Sequence, residues 1–425
     1  AFQAPAEVYE GYQDWRLGDR EAALGHVFAV AQNLALGAAV GVGVTFLRKL
    51  TPVLVESGRL KLCSFDMTPY QVDQSLGVSP GQGESHLGRT QVQFHEGTFQ
   101  MARSQNGKDL VIRHPKRDGA YRPLLERNGS GGWRHALELP QEWTGELQLL
   151  RRLAAAFFDM TPEQATAVLD CTGFDEERLR QLHVEHAPAP ARLLDAYDRH
   201  HLHALHPAME ADAFELLVAA AQEAEEVEDA LIRRSFPGLS VRGAKEIRKQ
   251  VDNLHLEQLR SSGRVPLVMA ERIRWFLHDS RLDRACAGLR QQQAINGDTE
   301  RLAIGLVHEL APWPDRLRIE LRVGSTQGLL QGQVGSGVAQ QTRYIVREGQ
   351  GYSVHDATVD SRRPATPSNS LMHALLLCMS DEQKVRLGNA MLDDQQLTDR
   401  LAGHARVHRD LASRLIGQAP IAGGV

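Results

Sequence analysis

No acidic or basic side chain interrupts the chain between Val27 and Leu47, while Arg20 and Glu21 stand before this stretch and Arg48 and Lys49 close it. A run of this kind either spans a bilayer or is buried in a protein core. As a helix its 21 residues extend about 31 Å, close to the thickness of the hydrocarbon layer. Ten of them are Val, Phe or Leu; at about 0.3 to 0.6 kcal/mol each they favour insertion, but Gln32, Asn33 and three glycines offset most of that gain. Gly25, Ala29, Asn33, Gly37, Gly41 and Thr45 recur every four residues, a small-residue stripe that lets another helix approach closely. Phe28, Leu36, Val40 and Val44 lie on the other side. The sequence therefore predicts a close-packed helix that becomes membrane-seeking when its partner is released. Phe28, Leu36, Gly37, Val40, Gly41 and Val44 are the candidate membrane-contact residues.

The remainder is ordinary globular material. With 425 residues, 42% hydrophobic and 24% charged, the chain is long enough for several domains, each with its own core. A net charge of -5 argues against nucleic-acid binding through bulk electrostatics, and no nucleic-acid partner is expected. Cys63, Cys171, Cys286 and Cys378 form no CxxC pair, so reduced, buried thiols are expected rather than a disulfide framework or a zinc site. The chain begins at Ala1 without a basic leader and reads as a segment of a longer protein.

Periodicity predicts an α+β fold, mainly helical with two β-rich insertions at about 89–145 and 315–356. Residues 1–50 read as a helical hairpin carrying the apolar helix, and 51–145 as a β-rich subdomain. Within the latter, Thr90 to Phe94, Thr98 to Arg103 and Asp109 to Arg113 alternate as strands. The stretch after them, with Trp133 and Trp143, reads as an irregular segment covering a sheet face. Residues 146–312 read as a helical domain, with Thr161, Thr172 to Asp175 and Asp298 marking helix starts. The acidic "AQEAEEVEDALIRRSF" is expected to be one helix, acid early and base late. Residues 313–425 read as a small sheet followed by C-terminal helices.

Chemistry is sparsely signalled. "DRHHLHALH" places His200, His203 and His206 on one helical face, a weak candidate metal site. No HExxH accompanies it and no carboxylate stands ready as a general base, so packed or solvated histidines are expected, with no metal and no cofactor. A metal-dependent enzyme using this cluster is the alternative reading. Between residues 89 and 134 arginines and lysines outnumber acids, and Phe94, Phe99, Tyr121 and Trp133 are interleaved with them. A charged sheet surface over aromatic core residues accounts for the pattern. No dinucleotide turn, P-loop or GxSxG elbow occurs, and no cysteine has a sequence neighbourhood that makes it a nucleophile.

Several phrases together carry a resemblance. "EVYEGYQDWRLGDREAALGHVFAVAQNLAL", "HPKRDGAYRPLLERNGSGGWRHALELPQEW", "LRQLHVEHAPAPARLLDAYDRH", "FPGLSVRGAKEI", "VPLVMAERIRWFLHDSRLDRACAGL" and "DTERLAIGLVHELAPWPDRLRIELR" resemble, in their order, the dermonecrotic-toxin-like region of very large bacterial secreted proteins. Such regions commonly lie upstream of leucine-rich repeats and a NEL-type E3 ubiquitin ligase domain with a cysteine nucleophile. The resemblance implies a non-catalytic segment of a secreted toxin or effector, acting in the host cytoplasm or at a host membrane. Its implied partners are a host protein or membrane and, through the parent protein, ubiquitin and an E2. The ligase's CxD motif is absent, since the four cysteines read "CSF", "CTG", "CAG" and "CMS", and no catalytic residue carries over.

Overall fold

The computed structural model describes residues 50–54, 60–64, 67–72, 91–94, 97–104, 107–117, 119–209, 211–221, 224–310, 316–335, 341–349, 351–356 and 365–418. The apolar stretch from Val27 to Leu47 lies outside them, and so do Phe28, Leu36, Gly37, Val40, Gly41 and Val44. No helix among the described residues is long and apolar enough to cross a membrane. The fold is α+β and mainly helical, with two five-stranded sheets. The chain divides into two compact units. One comprises Ala1–Trp143, Arg151–Phe158 and Leu182–Pro188; the other comprises Thr144–Leu150, Asp159–Gln181 and Ala189–Val425.

In the first unit, β1 (Leu50–Leu54) and β2 (Leu60–Ser64) form an antiparallel hairpin. Then β3 (Gln91–Phe94), β4 (Gly97–Arg103), β5 (Leu110–Arg113), β6 (Leu124–Arg127) and β7 (Trp133–His135) pair in chain order as an antiparallel meander. The first three of these strands fall within a residue or so of their expected bounds. Alternation puts Val92, Phe94, Phe99, Met101 and Ile112 into one core.

The expected irregular segment instead supplies β6 and β7. They are four and three residues long, too short for a period of two to show. Their turn is set by Asn128. Its side-chain oxygen accepts from the backbone N–H groups of Ser130 and Gly132, and its amide donates to the Leu153 carbonyl. A Cβ on Gly132 would lie 2.6 Å from the Arg152 carbonyl oxygen, so this close approach requires glycine. Phe94 and Phe99 are buried, and the Arg127 guanidinium lies 4.1 Å from the Trp133 ring centre. These aromatics are thus engaged within the sheet. Trp143 lies 3.8 Å beneath the Arg152 guanidinium, whose partner is Glu138.

Two helices, α1 (Glu146–Leu153) and α3 (Glu176–Val184), contribute residues to both units; between them α2 (Pro162–Thr172) belongs to the second. There follow α4 (Ala191–Leu205), α5 (Ala211–Ala220), α6 (Val227–Ser235), α7 (Val241–Lys249), α8 (Asn253–Ser262), α9 (Leu267–Arg290) and α10 (Gly297–Leu310). Thr161 caps α2 in a capping box with Gln164, and Asp175 accepts from the Arg178 N–H at the start of α3. α10 begins a residue before Asp298, because Asn296 accepts from the N–H groups of Asp298 and Thr299. The acidic stretch is not one helix. α5 ends at Ala220 and α6 starts at Val227, and in the gap Glu225 pairs with Arg233 and Glu226 with Arg248. Adjacent like charges lose little by leaving the helix when each finds its own cation.

The second sheet has the order β12 (Thr366–Ser368), β11 (Gly351–Asp356), β10 (Gln341–Glu348), β8 (Leu317–Val323), β9 (Leu329–Val334), with β8 and β10 parallel. α11 (Leu371–Leu377), α12 (Asp381–Arg386), α13 (Asp394–Val407) and α14 (Arg409–Leu415) complete the chain. α9 is the axis of this unit, packing against α2, α4, α7, α10 and α13. Its Met269, Ile273 and Phe276 join one hydrophobic cluster, and its Leu282, Ala285, Cys286 and Leu289 join a second with α10 and the sheet.

Candidate functional site

A cavity of about 350 Å³ opens in the second unit between α4, α5, α7 and α9. α4 directs Arg192, Asp195, Arg199 and His203 at it, residues three and four apart that share one helical face. α5 brings Phe214 and Glu215, and α9 brings Asp283 and Arg284. The lining combines apolar side chains, among them Leu202, Phe214 and Phe276, with these charged ones.

Most of these charges are paired. Arg199 and Glu215 form a two-pronged contact at 2.9 and 2.6 Å. Arg192 holds both oxygens of Asp283, at 2.8 and 2.7 Å, and also reaches Asp279. Arg409 closes on Asp283 from α14 and donates to the Cys171 carbonyl at 2.7 Å. Arg242 pairs with Asp198 and stands 3.8 Å from Asp195. Burial and the neighbouring Asp198 push the Asp195 carboxyl up to about 6, against the pull of the Ser240 hydroxyl and Arg242.

Arg284 is the exception. Its guanidinium makes no hydrogen bond or ion pair among the described residues. Burial, then the Arg199 charge, hold its pKa below the usual arginine value, only partly countered by Glu215, Asp283 and Asp298. Arg284, Glu215 and Asn296 also line a groove shared with Arg281, Asp298 and Arg301.

The histidines fall into separate environments. His203 is buried and lies parallel to the Phe214 ring, with centres 3.5 Å apart. Burial and Arg199 lower its pKa to about 4. His200 is half-buried on the cavity wall, and burial lowers its pKa too. The Nδ1 atoms of both rings are buried without a partner. His206 is exposed just beyond the end of α4, and His201, next to His200 in sequence, stacks on Tyr197. The fold thus brings His200 and His203 to one wall and leaves His206 off it. No group of three potential metal ligands occurs among the described residues.

Cys171, Cys286 and Cys378 are buried. Burial pushes their thiols up, to about 11 for Cys286 and about 12 for Cys378. Sequence reasoning reached the two wall histidines but missed Arg199, Phe214, Glu215 and Arg284. The available signal was "RLDRACAGLR", where an arginine sits among alanine and cysteine on a core helix. No family model matches the chain, no curated protein matches its sequence and no solved structure matches its fold.

Proposed function

We propose that the chain is a non-catalytic segment of a secreted bacterial toxin or effector, serving delivery, membrane contact or host-target binding in a host cell. Its parent protein would be the candidate E3 ubiquitin transferase, with the catalytic cysteine outside this segment. One structural observation supports the non-catalytic reading above the others. The three cysteines whose side chains are described are buried, with thiols held in the protonated form, whereas a ubiquitin relay needs an accessible thiolate. The resemblance of the ordered phrases supplies the toxin setting. The apolar stretch with its small-residue stripe supplies the membrane-contact element, and a host protein or membrane is the proposed partner.

Two measurements test this reading. Mixed with E1, E2 and ubiquitin, the chain is expected to form no adduct sensitive to reducing agent; an adduct on any of the four cysteines overturns the non-catalytic reading. In liposome flotation at neutral and acidic pH, wild type is expected to float at acidic pH only. Gly37→Leu and Gly41→Leu should float at both, because each blocks the helix packing that hides the stretch. No flotation of any of them removes the membrane role.

A further inference from the structure

Arg284 is a half-buried cation whose guanidinium has no hydrogen-bonded or ion-paired partner among the described residues. Taking a guanidinium partly out of water is unfavourable unless it is paired, and the carboxylates nearest to it are committed elsewhere. Glu215 is held by Arg199, Asp283 by Arg192 and Arg409, and Asp298 by Arg281 and Arg301.

The two wall histidines add to this asymmetry. With the Nδ1 atoms of His200 and His203 buried and unpartnered, a proton on Nδ1 would bury an unsatisfied donor. The favoured neutral tautomer therefore carries it on Nε2, which leaves each ring a donor at that nitrogen. The cavity lining thus combines Arg284 and the two histidines with the apolar side chains of Phe214, Leu202 and Phe276. A volume of about 350 Å³ lies in the range of small-molecule sites.

We propose that this cavity binds a small organic anion, an oxyanion head on an apolar body, with Arg284 as the principal cationic ligand and His200 and His203 as flanking donors. A planar guanidinium suits carboxylate and phosphate alike, each able to accept two parallel N–H bonds. The apolar body would lie along Phe214, whose other neighbour is the His203 ring. The site stands apart from the toxin reading, which concerns contact with a host protein or membrane.

The test is calorimetric titration of the full chain with phenyl phosphate, octanoate and, as a control lacking charge, benzyl alcohol. At least one of the two anions is expected to bind saturably and benzyl alcohol not to bind; which anion binds identifies the head. Arg284→Gln should weaken binding tenfold or more, and Arg284→Lys by less, since it keeps the charge and loses the fork. Circular dichroism and the thermal midpoint establish that both variants are folded, as is expected when an unpaired cation is removed. Bound anion should also raise the titration midpoint of His203, followed by the nitrogen shifts of its ring, and this shift should vanish in Arg284→Gln. Absence of saturable binding by either anion overturns the proposal. So does equal binding by the folded Arg284→Gln variant, or a His203 midpoint that no anion moves.

Discussion

Asp283 and Arg284 are adjacent on α9, yet their surroundings differ in kind. Around Asp283 the ionic bookkeeping is closed: Arg192 and Arg409 approach from α4 and α14, and backbone carbonyls of α2 take their remaining donors. Around Arg284 it is open, with a neighbouring arginine and carboxylates already engaged. A closed node of buried ions joins helices that are far apart in sequence. An open one contributes nothing to folding and is retained at a cost. Adjacent residues on one helix thus separate a structural role from a binding role.

Replacing Asp283 and Arg284 in turn tests the difference most directly. Asp283→Ala leaves Arg409 without its carboxylate and Arg192 with Asp279 alone, and is expected to cost about 3 kcal/mol, read as a fall in the urea midpoint at unchanged slope. Arg284→Gln should leave that midpoint unchanged or raise it. If the two variants lose equal stability, the distinction between a structural and a binding arginine fails.

How far the sequence reaches differs between these same two features. α9 and its neighbours are legible from apolar periodicity and caps such as Thr161 and Asp175, because local pattern decides where a helix starts. Three meander strands are legible from alternation. β6, β7 and β12 are not, since three or four residues carry too little pattern. The break between α5 and α6 is invisible because Glu225 and Glu226 read as a helical surface until Arg233 and Arg248 are seen beside them. The cavity is hidden for the same reason on a larger scale: Arg199 and Arg284 are 85 residues apart, and no local pattern brings them together. The spacing of His203 with His200 and His206 offers only a weak metal candidate, and no local pattern shows that its ring stacks on Phe214.

A smaller effect lies two turns earlier along α9. Gly243 of α7 lies against Phe276, and a Cβ there would stand 2.6 Å from the ring's Cζ. Gly243→Ala forces the ring or the helix to shift, at about 1–3 kcal/mol, of which helix propensity returns up to about 1 kcal/mol. Because Phe276 also lines the cavity, the variant should weaken anion binding by a few-fold, well short of the loss expected for Arg284→Gln. A larger loss of binding than of stability would mean that the apolar wall, not Arg284, dominates recognition.

The smallest expected effect concerns Asp195, whose ionisation the cavity opposes. Its folded pKa of about 6 lies above the ordinary carboxyl value, so in the folded chain it holds its proton longer than in the unfolded one. The stabilisation this provides is fully present below the unfolded pKa and is lost as pH rises through about 6. At pH 7 the charged side chain is therefore a burden. Asp195→Asn, which keeps the shape and can still accept from Ser240, is expected to raise the thermal midpoint at neutral pH by a few degrees, with the gain fading toward pH 4. His203 runs the opposite way: its lowered pKa gives stability that is present above the unfolded value and lost as pH falls toward about 4. Thermal melts at pH 4, 5.5 and 7 on wild type, Asp195→Asn and His203→Gln separate the two. A gain for Asp195→Asn that is the same at all three values would show that packing, and not the charge the cavity opposes, sets its effect.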